Sequence, residues 1–163
     1  MSRRAVCLGL FAVWAVHDLE EVLTATWWSE RTVPRLLAEG WPPGLVESIG
    51  STTPRFALAA ALVGVAVLAA AVQGARTDGE SRFFRAALLV FGWHGAVHAA
   101  QAIALRDYVP GLVTAVVLVI PYSIWAWRRL RPAPVPGRVI AAVALAAIAL
   151  TVAAQALARI LLT

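Results

Sequence analysis

Five stretches of this chain are apolar over about the length that crosses a bilayer: 5–26, 56–73, 83–105, 109–127 and 139–162. A spanning helix needs about 20 mostly apolar residues, so a chain of 163 residues has room for five spans joined by short connections and for no sizeable soluble domain. Composition agrees, with 61% hydrophobic residues, 14% charged ones and a mean hydropathy of +0.77. The expected fold is all-α: a polytopic membrane protein whose residues 1–163 form one integral domain, a five-helix transmembrane bundle. Any functional site must then be built from membrane helices, with the bilayer itself as the first partner.

The connections carry turn-forming punctuation: Trp41-Pro42-Pro43-Gly44 and Thr53-Pro54, then Thr77-Asp78-Gly79-Glu80, then Tyr108-Val109-Pro110-Gly111, then the run from Arg131 to Gly137. All 14 basic residues are arginine, which beside so much alanine suggests a GC-rich bacterial genome and a multi-pass protein of the bacterial cytoplasmic membrane. Nine arginines fall at the ends that face the cytoplasm if the N-terminus is inside (Arg3, Arg4, Arg76, Arg82, Arg85, Arg128, Arg129, Arg131 and Arg138), and five fall outside (Arg31, Arg35, Arg55, Arg106 and Arg159). That excess predicts N-inside, C-outside. The same dispersion to helix ends argues against nucleic acid as a partner. A single cysteine, Cys7, excludes an internal disulfide and a Cys-rich metal cluster. Nothing in the sequence speaks to oligomeric state.

Arg3-Arg4 followed by Ala5 to Val16 also looks like the start of a signal peptide, but no small-residue cleavage site follows. Apolar character resumes after a charged string and ends in Trp27-Trp28, a pair suited to the interface. Between Trp28 and Pro54, residues 34–39 and 44–49 read as two short amphipathic helical pieces, anchored by Trp27, Trp28 and Trp41. They would serve as a lid over the outer mouth or as a plain interfacial connection.

All three histidines and three of the nine carboxylates fall inside predicted spans. An ionisable residue at mid-bilayer costs roughly 2.5 to 3.5 kcal/mol on an insertion scale, so it is tolerated facing the bundle interior with partners, and it is a functional suspect by default. On a helix, Glu21 lies about 40° from His17, Glu20 about 60° away on the other side, and Asp18 about 100° away. His17, Glu20 and Glu21 therefore share a face, while Glu20 and Glu21 diverge enough that one is expected to ligate and the other to orient a histidine or act as a base. In the third span His94 and His98 are spaced i, i+4, with Gln101 further along the same face. Two imidazoles so placed can grip one metal ion, as in helix-borne zinc sites. Gly95 stands where a zinc peptidase needs glutamate, so this is no such peptidase. The two groups also match in depth, and the expected ligand set is His17, Glu20, Glu21, His94 and His98.

The string His17-Asp18-Leu19-Glu20-Glu21, a later intramembrane histidine and Tyr108-Val109-Pro110-Gly111 together resemble the HXXEE domain family, small integral membrane proteins with a further histidine and a Y-x-P-G motif. The resemblance covers roughly residues 12–120. It implies an enzyme acting through the motif and brings no assigned reaction. Either His94 or His98 fits the family histidine, with His98 favoured for its place ten residues before Tyr108.

Read on its own, the Tyr108 turn is structural, with Pro110 in the first turn of the fourth helix and Gly111 allowing close packing. Its functional alternative has Tyr108 donating to a substrate oxygen. Asp18, Trp14, Trp93, Gln101, Thr114, Gln155 and Arg159 are candidates to line the cavity, although Arg159 also suits a snorkelling role and the tryptophans a packing one. Pro121 is expected to kink the fourth helix, with Ser123 absorbing freed backbone groups.

The leading functional expectation is a metal-dependent intramembrane enzyme acting on a lipophilic small molecule. Zn or Fe would be held by the histidines and one of Glu20 or Glu21, the other being the general base, and Tyr108 would assist. The alternative is a metal-free acid/base isomerase or cyclase on a sterol-like or terpenoid-like substrate. A third reading, not enzymatic, is proton or metal-ion transport or haem binding.

Overall fold

The computed structural model describes residues 1–131 and 133–162, so Pro132, within the fourth expected connection, and Thr163 lie outside it. Among the described residues there are six helices and no strand: α1 (Arg3–Ala38), α2 (Pro43–Ile49), α3 (Thr53–Arg76), α4 (Arg82–Leu105), α5 (Leu112–Leu130) and α6 (Gly137–Leu161). Four of them, α3 to α6, are long and apolar enough to cross a membrane. α1 is longer but falls outside that set, because its centre carries the charged string.

The helices run alternately up and down, as the contacts at their ends require. At the N-terminal end of the bundle Arg3 pairs with Glu80 and bonds the Asp78 carbonyl, while Arg129 reaches the Met1 carbonyl. At the opposite end Arg35 pairs with Asp107 beyond α4, Arg55 reaches the Leu162 carbonyl, and Arg159 bonds carbonyls at the end of α2. Arg85, buried near the start of α4, bonds the Gly79 and Ala133 carbonyls and pairs with Glu80, and so ties two connections together. The main core lies toward the N-terminal end, where Val6, Cys7 and Leu10 of α1 meet Phe84 and Leu88 of α4 and Ala126 and Leu130 of α5.

The first helix departs from expectation. It does not stop at residue 26 but continues to Ala38, so residues 34–39 are its last turns rather than a separate piece, and only 44–49 forms a helix of its own, α2. Pro34 sits inside α1 and removes one backbone bond, to the Glu30 carbonyl four residues back, which lies on an exposed stretch where water can replace it. At 36 residues α1 is about 54 Å long, nearly twice the roughly 30 Å thickness of a bilayer's hydrocarbon. Trp28 is no headgroup anchor: it is buried, and its indole donates to the Tyr108 carbonyl at 2.8 Å.

α5 begins later than residue 109. Gly111 is its N-cap, in the left-handed region at φ +81°, so Pro110 precedes the helix instead of opening it. One turn in, Ala115–Val119 widens to a π-helical turn closed by the Ile120 N–H to the Ala115 carbonyl. A π turn immediately before Pro121 absorbs the hydrogen bond that proline cannot make. Ser123 does not do so, for its buried Oγ has no hydrogen-bond partner among the described residues.

Small residues set the helix spacing. A Cβ built at Gly74 would lie 2.4 Å from the ring of the fully buried Phe84, so α3 and α4 meet only because position 74 has no side chain. Gly74→Val should therefore destabilise by about 1–3 kcal/mol, read as a lowered thermal midpoint in detergent. An unchanged midpoint would mean the two helices do not meet there.

Candidate metal centre

α1 and α4 face each other across the middle of the bundle, and their polar residues meet there. His94 Nε2 lies 3.1 Å from His17 Nε2 and 3.0 Å from His98 Nε2. The Glu21 carboxylate completes the group, with one oxygen 3.7 Å from His17 Nε2 and the other 3.4 Å from His98 Nε2. One donor atom from each of the four side chains lies within 4.8 Å of every other. Donors bound tetrahedrally to zinc at 2.0–2.1 Å are about 3.3 Å apart, close to the separations of 3.0, 3.1, 3.4 and 3.7 Å within the group. His17, Glu21 and His98 are buried, while His94 is exposed to a cavity that it helps to line. The group can hold a metal ion.

Glu20 is not in this group. Its carboxylate is filled by other donors: Tyr108 Oη at 2.7 Å, Thr114 Oγ1 at 2.6 Å, and the backbone N–H groups of Thr114 at 2.7 Å and Val113 at 3.2 Å. The two N–H groups belong to the first turn of α5, whose donors have no partner inside the helix. Glu20 thus caps α5, and of the five expected ligands it alone stands apart from the group of four. The Tyr108 hydroxyl donates to Glu20 rather than into the cavity. Burial pushes the Tyr108 phenol up to about 12, so it stays protonated and keeps donating.

A relay follows from the hydroxyl of Thr114. Its single proton goes to Glu20, so toward His17 Nδ1, 2.9 Å away, the same oxygen can only accept. His17 must carry its proton on Nδ1, and its Nε2 lone pair is left pointing at His94 and His98. A histidine whose far nitrogen is fixed through a hydrogen bond is the usual arrangement behind a metal ligand. His98 Nδ1 lies beside the Pro110 carbonyl without a well-formed hydrogen bond.

Gly111 is required twice over. Its φ of +81° disfavours any side chain, and a Cβ there would lie 2.7 Å from His17 Cε1, 2.9 Å from Glu21 Cγ and 3.2 Å from His98 Cε1. Every residue of the Tyr108 turn other than Val109 therefore acts on the polar layer: Tyr108 on Glu20, Pro110 beside His98, Gly111 against His17, Glu21 and His98.

The cavity has a volume of about 970 Å3 and lies between α1, α3, α4 and α6, with residues 48–51 at one end. Trp14, Asp18, Gln101 and Gln155 line it with Glu21, His94 and His98. Trp93, Thr114 and Arg159 do not. Trp93 points outward and is 71% exposed, Thr114 is held between Glu20 and His17, and Arg159 binds the carbonyls of Glu47, Ser48 and Gly50. Sequence reasoning missed the relay through Thr114. Its signal was the place of Thr114 in the first turn after Y-x-P-G, where unpaired N–H groups call for an acceptor.

Gly111→Ala should cost about 1–3 kcal/mol by overpacking, with roughly 1–2 kcal/mol more for the left-handed backbone, and should displace His17. The thermal midpoint in detergent should fall by more than for Gly44→Ala, where a Cβ meets nothing within 4 Å. Equal midpoints would refute the packing of the turn on the cluster.

No curated protein and no solved structure matches the chain. A family model described as "protein of unknown function with HXXEE motif" matches residues 8–126, a span holding the whole polar layer, from His17 through His94 and His98 to Thr114. With most of the chain matched and the motif's histidine and second glutamate in one cluster, the chain belongs to the HXXEE family.

Proposed function

We propose that the chain is a metal-dependent intramembrane enzyme acting on a lipophilic small molecule, with His17, His94, His98 and Glu21 holding a single Zn or Fe ion. The observation that carries this reading is the convergence of three imidazole Nε2 atoms on one point, with the His17 lone pair aimed there by the relay through Thr114. A bound ion would polarise a substrate oxygen and acidify a bound water. The chain's own residues do the rest. His94 forms the open side of the cluster toward the cavity, so the substrate approaches past it. Asp18, the other carboxylate lining the cavity, forms no hydrogen bond or ion pair with the described residues and takes the proton-handling role that Glu20 cannot fill. Three Nε2 atoms so close together leave no slot for a porphyrin plane, which argues against haem.

The same proposal takes α1 as a fifth span, with its polar string turned inward to its partners, and the N-terminus in the cytoplasm. Nine arginines at the N-terminal end of the bundle against five at the other support that orientation. A C-terminal alkaline phosphatase fusion should be active and a C-terminal green fluorescent protein fusion dark, and the opposite pair of results would reverse the topology.

Metal analysis by mass spectrometry of protein purified in mild detergent should find near-stoichiometric Zn or Fe, lost in both His17→Ala and His98→Ala. Thr114→Val keeps the shape of the side chain but removes the acceptor for His17, and should weaken metal affinity by about 10- to 100-fold. A metal-free wild type after expression in metal-replete medium would overturn the reading and favour proton-transfer chemistry in the same cavity.

A further inference from the structure

The cavity is long and its two ends differ. On α4 its wall extends from Phe83 to Leu105, and on α6 from Arg138 to Gln155. Asp18, Glu21, His94, His98 and Gln101 form a polar layer partway along, with Gln155 beyond it. From His94 back to Phe83 the wall is apolar, built of residues such as Leu10, Val67, Ala70 and Phe91. Those turns of α4 measure about 16 Å. At roughly 1.2 Å per bond, the advance of an extended main chain, that length accommodates about a dozen methylenes. A volume of about 970 Å3 is near the upper end of the roughly 300–1,000 Å3 of sites that hold one small ligand.

Charge narrows the head group. The polar layer shows the cavity two carboxylates and no arginine, and the one lining arginine, Arg138, stands at the other end. A divalent ion would bring that layer to neutrality, without an excess of positive charge for a phosphate. Gln101 supplies an amide that can donate to one uncharged oxygen or accept from it.

We infer that the cavity binds a neutral single-chain amphiphile of about a dozen carbons, a fatty alcohol, aldehyde or ester, with its oxygen at the layer of His94, Glu21 and Gln101 and its chain directed toward Arg138. That the oxygen-bearing end is also the reacting end rests on the metal-centre reading. Binding and chain direction do not.

The test is photolabelling with dodecanol bearing a diazirine at its terminal carbon, on the full chain in phosphatidylcholine nanodiscs, with labelled residues mapped by mass spectrometry. Labels should fall on α4 between Phe83 and Ala87 and on α6 between Val139 and Val143. Excess dodecanol should reduce them at least tenfold, and the same concentration of dodecyl phosphate should not. Ala142→Phe, which fills that end of the cavity, should cut this labelling at least fivefold while the thermal midpoint stays within a degree or two of wild type. Labels spread over the outward-facing Val65 and Leu145 would overturn the inference, as would labels gathered near Ser51 and Gln155, or equal competition by the phosphate. Chelator-treated protein should give the same map. The same map from a protein that carries no metal as purified, before any chelator, would fail the metal-centre reading and leave this one standing, whereas metal bound as purified with scattered labels would do the reverse.

Discussion

A carboxylate inside a bundle of apolar helices has to be satisfied by donors that its apolar neighbours do not offer, and Glu20 finds most of them at the start of another helix. The first N–H groups of any helix lack internal partners. An anion placed there satisfies them and meets the favourable end of the helix dipole. Glu20 and α5 thus solve each other's problem, since the carboxylate takes the Val113 and Thr114 N–H groups and the helix can begin at the depth of the carboxylate. The turn before it must then come down to the same layer, which brings Gly111 against the histidines and Tyr108 within reach of Glu20. Geometry at the cluster is a consequence of that pairing. The Thr114 hydroxyl touches both Glu20 and His17, and through it the choice of tautomer passes from the Glu20 carboxylate to a histidine of the cluster.

The four long apolar helices were legible because length and hydropathy are one-dimensional properties, and their observed bounds differ from the expected ones by only a few residues. The end of α1 was not legible. Trp27-Trp28 and Pro34 are ordinary stop signals, yet Trp28 turns inward to bond the Tyr108 carbonyl and Pro34 falls where the lost backbone bond faces solvent. Both facts depend on what packs beside the helix. The cluster itself was legible in part, since i, i+4 spacing and matched depth bring His17, His94 and His98 to one place. Helix angles showed that Glu20 and Glu21 diverge but could not say which turns to the histidines. That depends on where α5 starts, and the expected start at residue 109 concealed it.

Packing explains why there is a cavity at all. In a membrane, small residues ordinarily let helices approach closely, and α6 is rich in alanine. Its buried residues are Ala154 and Ala158, which meet Ala59 of α3 near one end of the bundle. Toward its other end Ala142, Ala146 and Ala147 line the cavity. α6 is thus buried against α3 toward its C-terminal end, while nearer Arg138 its small residues face the cavity. Small side chains in that position leave volume unfilled, with walls that offer water few polar partners. On the inference of a bound amphiphile, an apolar chain lying there would keep hydrophobic surroundings and meet polar groups only where it reached His94, so the arrangement that leaves the space open would also set which end arrives at the cluster.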